Sequence, residues 1–233
     1  MIATAEPGDL PRFYAALGEL EARLGGRLSL ETCGRADITA KGGVYFFFEE
    51  GEARTGSGSG SRVVRIGTHG LRAGSGSTLW GRLRQHKGTA AGGGNQRGSI
   101  FRRHVGAALM EAGRIVTVSG WRVGQNAAPA QRKAEIEAEL AVSCAIRRMP
   151  FLFLPIGDAA GPASDRGYIE RNAIALLSSA TARAVDPPSA GWLGRHALSP
   201  EIRESGLWNV RHIGEAVESG FLDRLLQRIR DIP

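Results

Sequence analysis

Cysteine is almost absent: Cys33 and Cys144 are the only two in 233 residues, and they lie far apart in the chain. No zinc spacing and no disulfide framework can be built from that pair, so two inert thiols in a reducing compartment are expected. Nowhere does an apolar stretch approach the ~20 residues needed to cross a bilayer, so no membrane association is expected. Glu6 and Asp9 stand where a signal peptide would be apolar, which gives a cytoplasmic expectation. Neither a Gly-x-x-x-x-Gly-Lys-Ser/Thr loop nor a strand-coupled Gly-x-Gly-x-x-Gly turn occurs, which excludes the common nucleotide cradles. No aromatic-rich sheet motif of the RNA-binding kind is present either.

A further absence is local. From Ala53 to Met110 there is no Asp or Glu, while Arg54, Arg62, Arg65, Arg72, Arg82, Arg84, Lys87, Arg97, Arg102 and Arg103 all fall there. The whole chain carries a formal charge of +7, and this block holds much of the excess. So long a run of one sign repels itself unless an anion lies against it, and a nucleic-acid backbone is a suitable one. A basic surface kept for solubility would look the same on charge alone.

Glycine is what the sequence has in plenty, with 33 copies, many of them between residues 42 and 124. Among these loops the apolar periodicity predicts an amphipathic helix over Asp9 to Leu24, with Asp9 as its N-cap. Strands are predicted over Gly43 to Glu49 and Arg62 to Gly67, joined by a flexible Gly/Ser connection into a hairpin. A helix follows over Thr78 to Lys87, capped by Ser77 or Thr78 and ended by Gly88, then another from Ser99 to about Met110. Ile115 to Val123 reads as extended. Pro129 to Arg148 reads as one charged helix with Ile136, Leu140 and Cys144 on its apolar face. Phe151 to Ile156 reads as a buried strand between prolines. Asp165 is a candidate cap for a helix from Gly167 to about Ser178, and a helix from Gly214 to Arg230 closes the chain. The expected fold class is α+β: a small, mainly antiparallel three-stranded sheet flanked by helices, with helical N- and C-terminal additions. One domain over residues 1–233 is expected, with an N-terminal helix (about 8–25), an insertion (about 88–148) and a C-terminal helix (about 214–230).

The order of chemically useful residues is more specific than any one of them. Gly43-Val44-Tyr45 lies on the first strand and Arg65-Ile66-Gly67 on the second. Arg82 and His86 follow on a helix, and Glu170 on a later one. This succession resembles the GIY-YIG nuclease superfamily, named for Gly-Ile-Tyr on one strand and Tyr-Ile-Gly on the next. The resemblance covers roughly Lys41 to Asn209. It implies a metal-dependent endonuclease that hydrolyses DNA phosphodiester bonds, with Tyr45 as general base, Arg82 as phosphate stabiliser and Glu170 as ligand of Mg²⁺ or Mn²⁺. Double-stranded DNA is the partner it suggests. Asn209, in Ser-Gly-Leu-Trp-Asn, is the candidate for an Asn that the family carries after its Glu; Asn172 is nearer but leaves the helix at another angle.

The residues support those roles on physical grounds. Phosphodiester hydrolysis needs an activated water, neutralisation of charge on phosphorus and help for the leaving oxygen. Residues four apart on a helix share a face, so Arg82 and His86 can meet one phosphate. A lone carboxylate such as Glu170, completed by waters and phosphate, is an ordinary Mg²⁺ arrangement. Arg65 stands where the family has its second tyrosine; a guanidinium cannot shuttle protons near neutral pH, so it can only hold charge or a water. Arg62, Arg84, Lys87, Arg97, Arg102 and Arg103 are expected to contact DNA phosphates. A non-catalytic DNA-binding module and a basic RNA-binding protein are the alternatives; each has a bland account of Tyr45, Arg82, His86 and Glu170 as core or solvated residues.

Overall fold

The computed structural model describes residues 2–3, 6 and 8–232. Its elements in chain order are β1 (Ile2–Ala3), α1 (Asp9–Leu24), β2 (Leu28–Ser29), β3 (Gly43–Ala53), β4 (Ser61–Gly67), α2 (Leu79–Lys87), α3 (Ile100–Glu111), α4 (Pro129–Ala134), α5 (Ile136–Arg148), β5 (Pro150–Pro155), α6 (Asp165–Leu177), α7 (Ala180–Val185), α8 (Pro200–Ser205), β6 (Val217–Glu218) and α9 (Phe221–Arg230). The fold class is α+β. An antiparallel sheet of four strands runs β2-β5-β3-β4, and β1 pairs with β6 as a separate ribbon. The three expected strands are all present. The fourth, β2, is only two residues long and sits at the edge, too short to show any alternation in sequence. Among the described residues no helix is long and apolar enough to cross a membrane.

Alternation along β3 sends its side chains into two cores. Val44, Phe46 and Phe48 join Phe13, Leu17, Ile169 and Phe221 on the face covered by α1, α6 and α9. Tyr45 and Phe47 join Leu79, Leu83, Phe101 and Val142 on the face covered by α2, α3 and α5. Both faces are therefore buried, which is why β3 reads as an unbroken apolar run. The pairs Tyr45 with Gly67 and Phe47 with Arg65 hold their register, and the next pair is Phe48 with Val63. Val64 is thus the extra residue of a β-bulge. It turns Val64 into the same core as Tyr45 and Phe47.

Several local expectations are corrected. The hairpin connection is tied down, because the Asp186 carboxylate accepts the amides of Thr55 at 2.8 Å, Gly56 at 2.9 Å and Ser57 at 3.1 Å. Ile115 to Val123 forms turns, with no strand. The helix expected over Pro129 to Arg148 breaks at Glu135 into α4 and α5. Ile136, Leu140 and Cys144 lie exposed, while Ala138, Glu139, Val142, Ser143 and Ile146 face inward. The inward face was disguised because it carries a carboxylate and a hydroxyl that satisfy a buried arginine, described below. α1 begins from Gly8; Asp9, inside the first turn, accepts the Glu6 amide at 2.8 Å, reaching back along the chain where an N-cap reaches forward. In α6 it is Ser164 that caps, accepting the Gly167 amide. The terminal helix starts only at Phe221, after β6.

Candidate active site

Tyr45 is the centre of the arrangement. Its cross-strand partner is Gly67, and a Cβ placed on Gly67 would lie 2.2 Å from the Tyr45 hydroxyl. The phenol therefore lies across Gly67, a position that no other residue type leaves open. Tyr45 is 0% exposed, and its Oη lies 2.9 Å from His86 Nε2. The second ring nitrogen, His86 Nδ1, lies 2.7 Å from Ser99 Oγ. Ser99 is held in place because the same hydroxyl caps α3, accepting the Arg102 amide at 3.3 Å. Burial pushes the His86 pKa well below its usual value, and the charges of Arg82, Arg65 and Arg102 push it further the same way. His86 is a neutral imidazole at neutral pH, able to accept a proton only when one is forced on it.

Three further charged groups belong to the candidate site. Arg65 is buried with its guanidinium 4.6 Å from the Phe101 ring centroid, and it donates to the Trp208 carbonyl at 2.5 Å. Burial lowers its pKa, and Tyr45 and Glu170 are close enough to draw it back up. Arg82 is half-buried on α2, donating to Gln85 Oε1 at 3.0 Å. Glu170 is half-buried on α6, accepting the Thr68 amide on Oε1 at 3.1 Å. Burial raises the Glu170 carboxyl above the usual range, against the pull of Arg65, His212, the Thr68 amide and Arg82. The Arg82 charge bears on Arg65, His86 and Glu170 alike. Arg82 and Arg84 line a cavity of about 470 Å³ with Thr68, His69 and Ser77. A larger cavity of about 600 Å³ lies elsewhere, with Asp158, Asp165 and Asp231 in its wall. Those carboxylates make it a poor place for a phosphate.

Asn209 stands nearby in a different capacity. Its Nδ2 donates to the Ile66 carbonyl at 2.8 Å, and its Oδ1 accepts the Ile66 amide at 3.1 Å. Both ends of the amide are thus engaged with β4, and Asn209 holds in place the strand that carries Arg65 and Gly67. Trp192 and Trp208 are buried, with both indole N–H groups directed at Glu49 Oε2; they pack the loop down.

The expected phosphate contacts divide sharply. Arg84 is exposed. Lys87 is half-buried and donates to the Cys33 carbonyl at 2.7 Å, and half-buried Arg103 donates to Gln96 Oε1 at 2.9 Å. Arg62, Arg97 and Arg102 are buried in ion pairs with Glu52 at 2.6 Å, Glu135 at 2.5 Å and Glu139 at 2.5 Å. These last three hold the fold and do not face a ligand. The carboxylates that pair with Arg97 and Arg102 come from outside the acid-free block, which is why charge patterning alone misplaced them. Sequence reasoning also missed Ser99, seen only as a helix start, and His69. The one available signal for His69 was a histidine placed directly after the second strand motif, between Gly67 and Gly70.

Neither a curated protein nor a solved structure matches the chain. A family model described as GIY-YIG domain matches residues 5–233. That span takes in both strand motifs, α2 and α6, and so the whole geometry above. The chain belongs to the GIY-YIG domain family, a family of nucleases.

Proposed function

We propose that the chain is a metal-dependent endonuclease that hydrolyses phosphodiester bonds in double-stranded DNA. One observation carries the reading: the hydrogen-bonded run Tyr45–His86–Ser99, with the charges of Arg65 and Arg82 bearing both on His86 and on Glu170. Burying a neutral imidazole against a phenol gives the phenolic proton a place to go. Tyr45 Oη takes the proton from an attacking water as its own proton passes to His86 Nε2. Arg82 and Arg65 stabilise the charge that builds on the phosphorane oxygens. His86 keeps Tyr45 oriented through the reaction.

The residues present fit a divalent ion of the hydrated kind. Glu170 has one oxygen on the Thr68 amide, which orients the carboxylate and leaves the other oxygen for a metal. Among the described residues there is no group of three or more His, Cys, Asp or Glu that would cage one. An ion held by one carboxylate keeps most of its waters, which suits Mg²⁺ or Mn²⁺. Bound there, it would neutralise charge on the leaving side of the phosphate.

Arg84 and the partly exposed Lys87 and Arg103 extend the cationic surface from the cleft, and residues 88–148, as an insertion in a single domain, add to it. We place the protein in the cytoplasm, with Cys33 and Cys144 as free thiols. The test is direct: purified protein with supercoiled plasmid and Mg²⁺ should give nicked or linear product, and chelation should stop it. DNA binding without any cleavage in Mg²⁺ or Mn²⁺ would leave a non-catalytic binding module, the reading that Arg65 in place of a tyrosine favours.

A further inference from the structure

His69 lies two residues beyond Gly67, on the wall of the cavity that Arg82 lines, and is 7% exposed. Its Nδ1 is 3.1 Å from the Ser77 carbonyl oxygen and 3.1 Å from Ser77 Oγ. A carbonyl can only accept, so Nδ1 carries the hydrogen and Nε2 carries a lone pair. Nε2 is itself buried and has no hydrogen-bond partner among the described residues. Tethering the loop requires only the Nδ1 bond, so a structural role leaves Nε2 unexplained. Burial, then the Arg166 charge, keeps the imidazole neutral, as does Arg82; Asp158 opposes them. A neutral lone pair in a cationic cleft repels phosphate oxygens, which are acceptors too. Its partner must bring a hydrogen.

We propose that His69 is a catalytic residue of this site, with Nε2 accepting one hydrogen of the attacking water. The inference rests on the nuclease reading above. The link in space is the cavity wall that His69 shares with Arg82 and Thr68, the Thr68 amide donating to Glu170 Oε1 at 3.1 Å. The water then has both hydrogens assigned. One stays on oxygen and points at His69 Nε2; the other leaves as the proton to Tyr45. The freed oxygen pair forms the bond to phosphorus, the opposite P–O bond breaks, and the leaving oxygen takes its proton from solvent. His69 gains no proton overall; it fixes where the water's lone pair points. This gives the site an acceptor for the water's hydrogen, which Arg65, as a donor only, cannot supply.

The experiment compares the full-length parent with H69A and H69Q, reading single-turnover plasmid cleavage in Mg²⁺, DNA affinity with chelator present, and the thermal midpoint. H69A should lose about 10²-fold in rate, the scale of a misoriented nucleophile, with DNA affinity unchanged. H69Q should recover part of the loss, because its amide oxygen accepts the same hydrogen bond without titrating. H69A at the parent rate would overturn the proposal, as would rate and affinity falling together, or H69Q no faster than H69A. Should H69A fail to fold, H69Q decides: folded H69Q with rate lost and affinity lost in step also overturns it. A parent that binds but never cuts would sink the nuclease reading and this inference with it; an active parent with an indifferent His69 sinks only this one.

Discussion

At the scale of single residues, the site depends on how little room surrounds Tyr45. Gly67→Ala would bring a Cβ to 2.2 Å from Oη and 2.4 Å from Cζ, so the phenol must move off His86. Cleavage should fall by about 10²-fold, the cost of displacing a catalytic group by an ångström or so, while DNA affinity stays near the parent's. Paired cleavage and binding assays check this, and unimpaired cleavage would mean that Tyr45 does not act where it sits. Arg102 makes the opposite case. It is 0% exposed, donates to the His86 carbonyl at 2.9 Å and to Ser143 Oγ at 2.9 Å, and pairs with Glu139. Arg102→Ala strands the buried Glu139 carboxylate, and denaturant unfolding should show a loss of about 3–5 kcal/mol. The same substitution at a phosphate contact would leave stability alone and lower DNA affinity. From composition the two kinds of arginine look identical; only the partner tells them apart.

Among the elements, β3, β4, α2, α3, β5 and α6 were legible because each carries a local signal. Val44 to Phe48 is a run that no amphipathic helix would bear, Thr78 and Ser99 are side-chain caps, and Gly88 ends α2. The order of Tyr45, Arg65, Arg82, His86 and Glu170 was legible because it resembles the family's succession of motifs. What stayed hidden is set by contacts distant in sequence. β2 exists only through its pairing with β5. α5 turns Glu139 and Ser143 inward because Arg102 needs them, against its apolar periodicity. The hairpin connection is ordered by Asp186, which no local pattern announces. α2 carries the clearest prediction at this scale. It presents exposed Arg84 beside half-buried Arg82 on the cavity wall. Arg84→Ala should therefore weaken DNA binding across sequences and reduce the salt slope by about 1, while the cleavage rate of bound DNA holds. Salt-titrated affinity measurements read this; an unchanged slope would place DNA on another face.

For the molecule as a whole, the cationic charge that suits DNA also sets its response to acid. His69 and His86 have pKa values lowered first by burial, and His104 is pushed to about 4 by burial and by Arg65, Arg122 and Arg103. In the unfolded chain these imidazoles take up protons near the ordinary value of about 6.5. The unfolded state therefore binds more protons than the folded one below that pH. Stability is fully present above about pH 6.5 and declines as pH falls below it, by up to about 1.4 kcal/mol per pH unit for each such histidine. Denaturant unfolding between pH 7.5 and 5 should show this decline, and a flat profile would contradict the buried, neutral histidines on which the Tyr45 relay depends. The central claim is that one carboxylate holds the metal for a reaction run by Tyr45, His86 and the two arginines. The measurement closest to it is single-turnover plasmid cleavage by Glu170→Ala in Mg²⁺, beside DNA affinity in chelator. The account predicts cleavage abolished and affinity equal to the parent's or slightly tighter, because a negative charge has left the phosphate site. Glu170→Ala cutting at the parent rate in Mg²⁺ would contradict it.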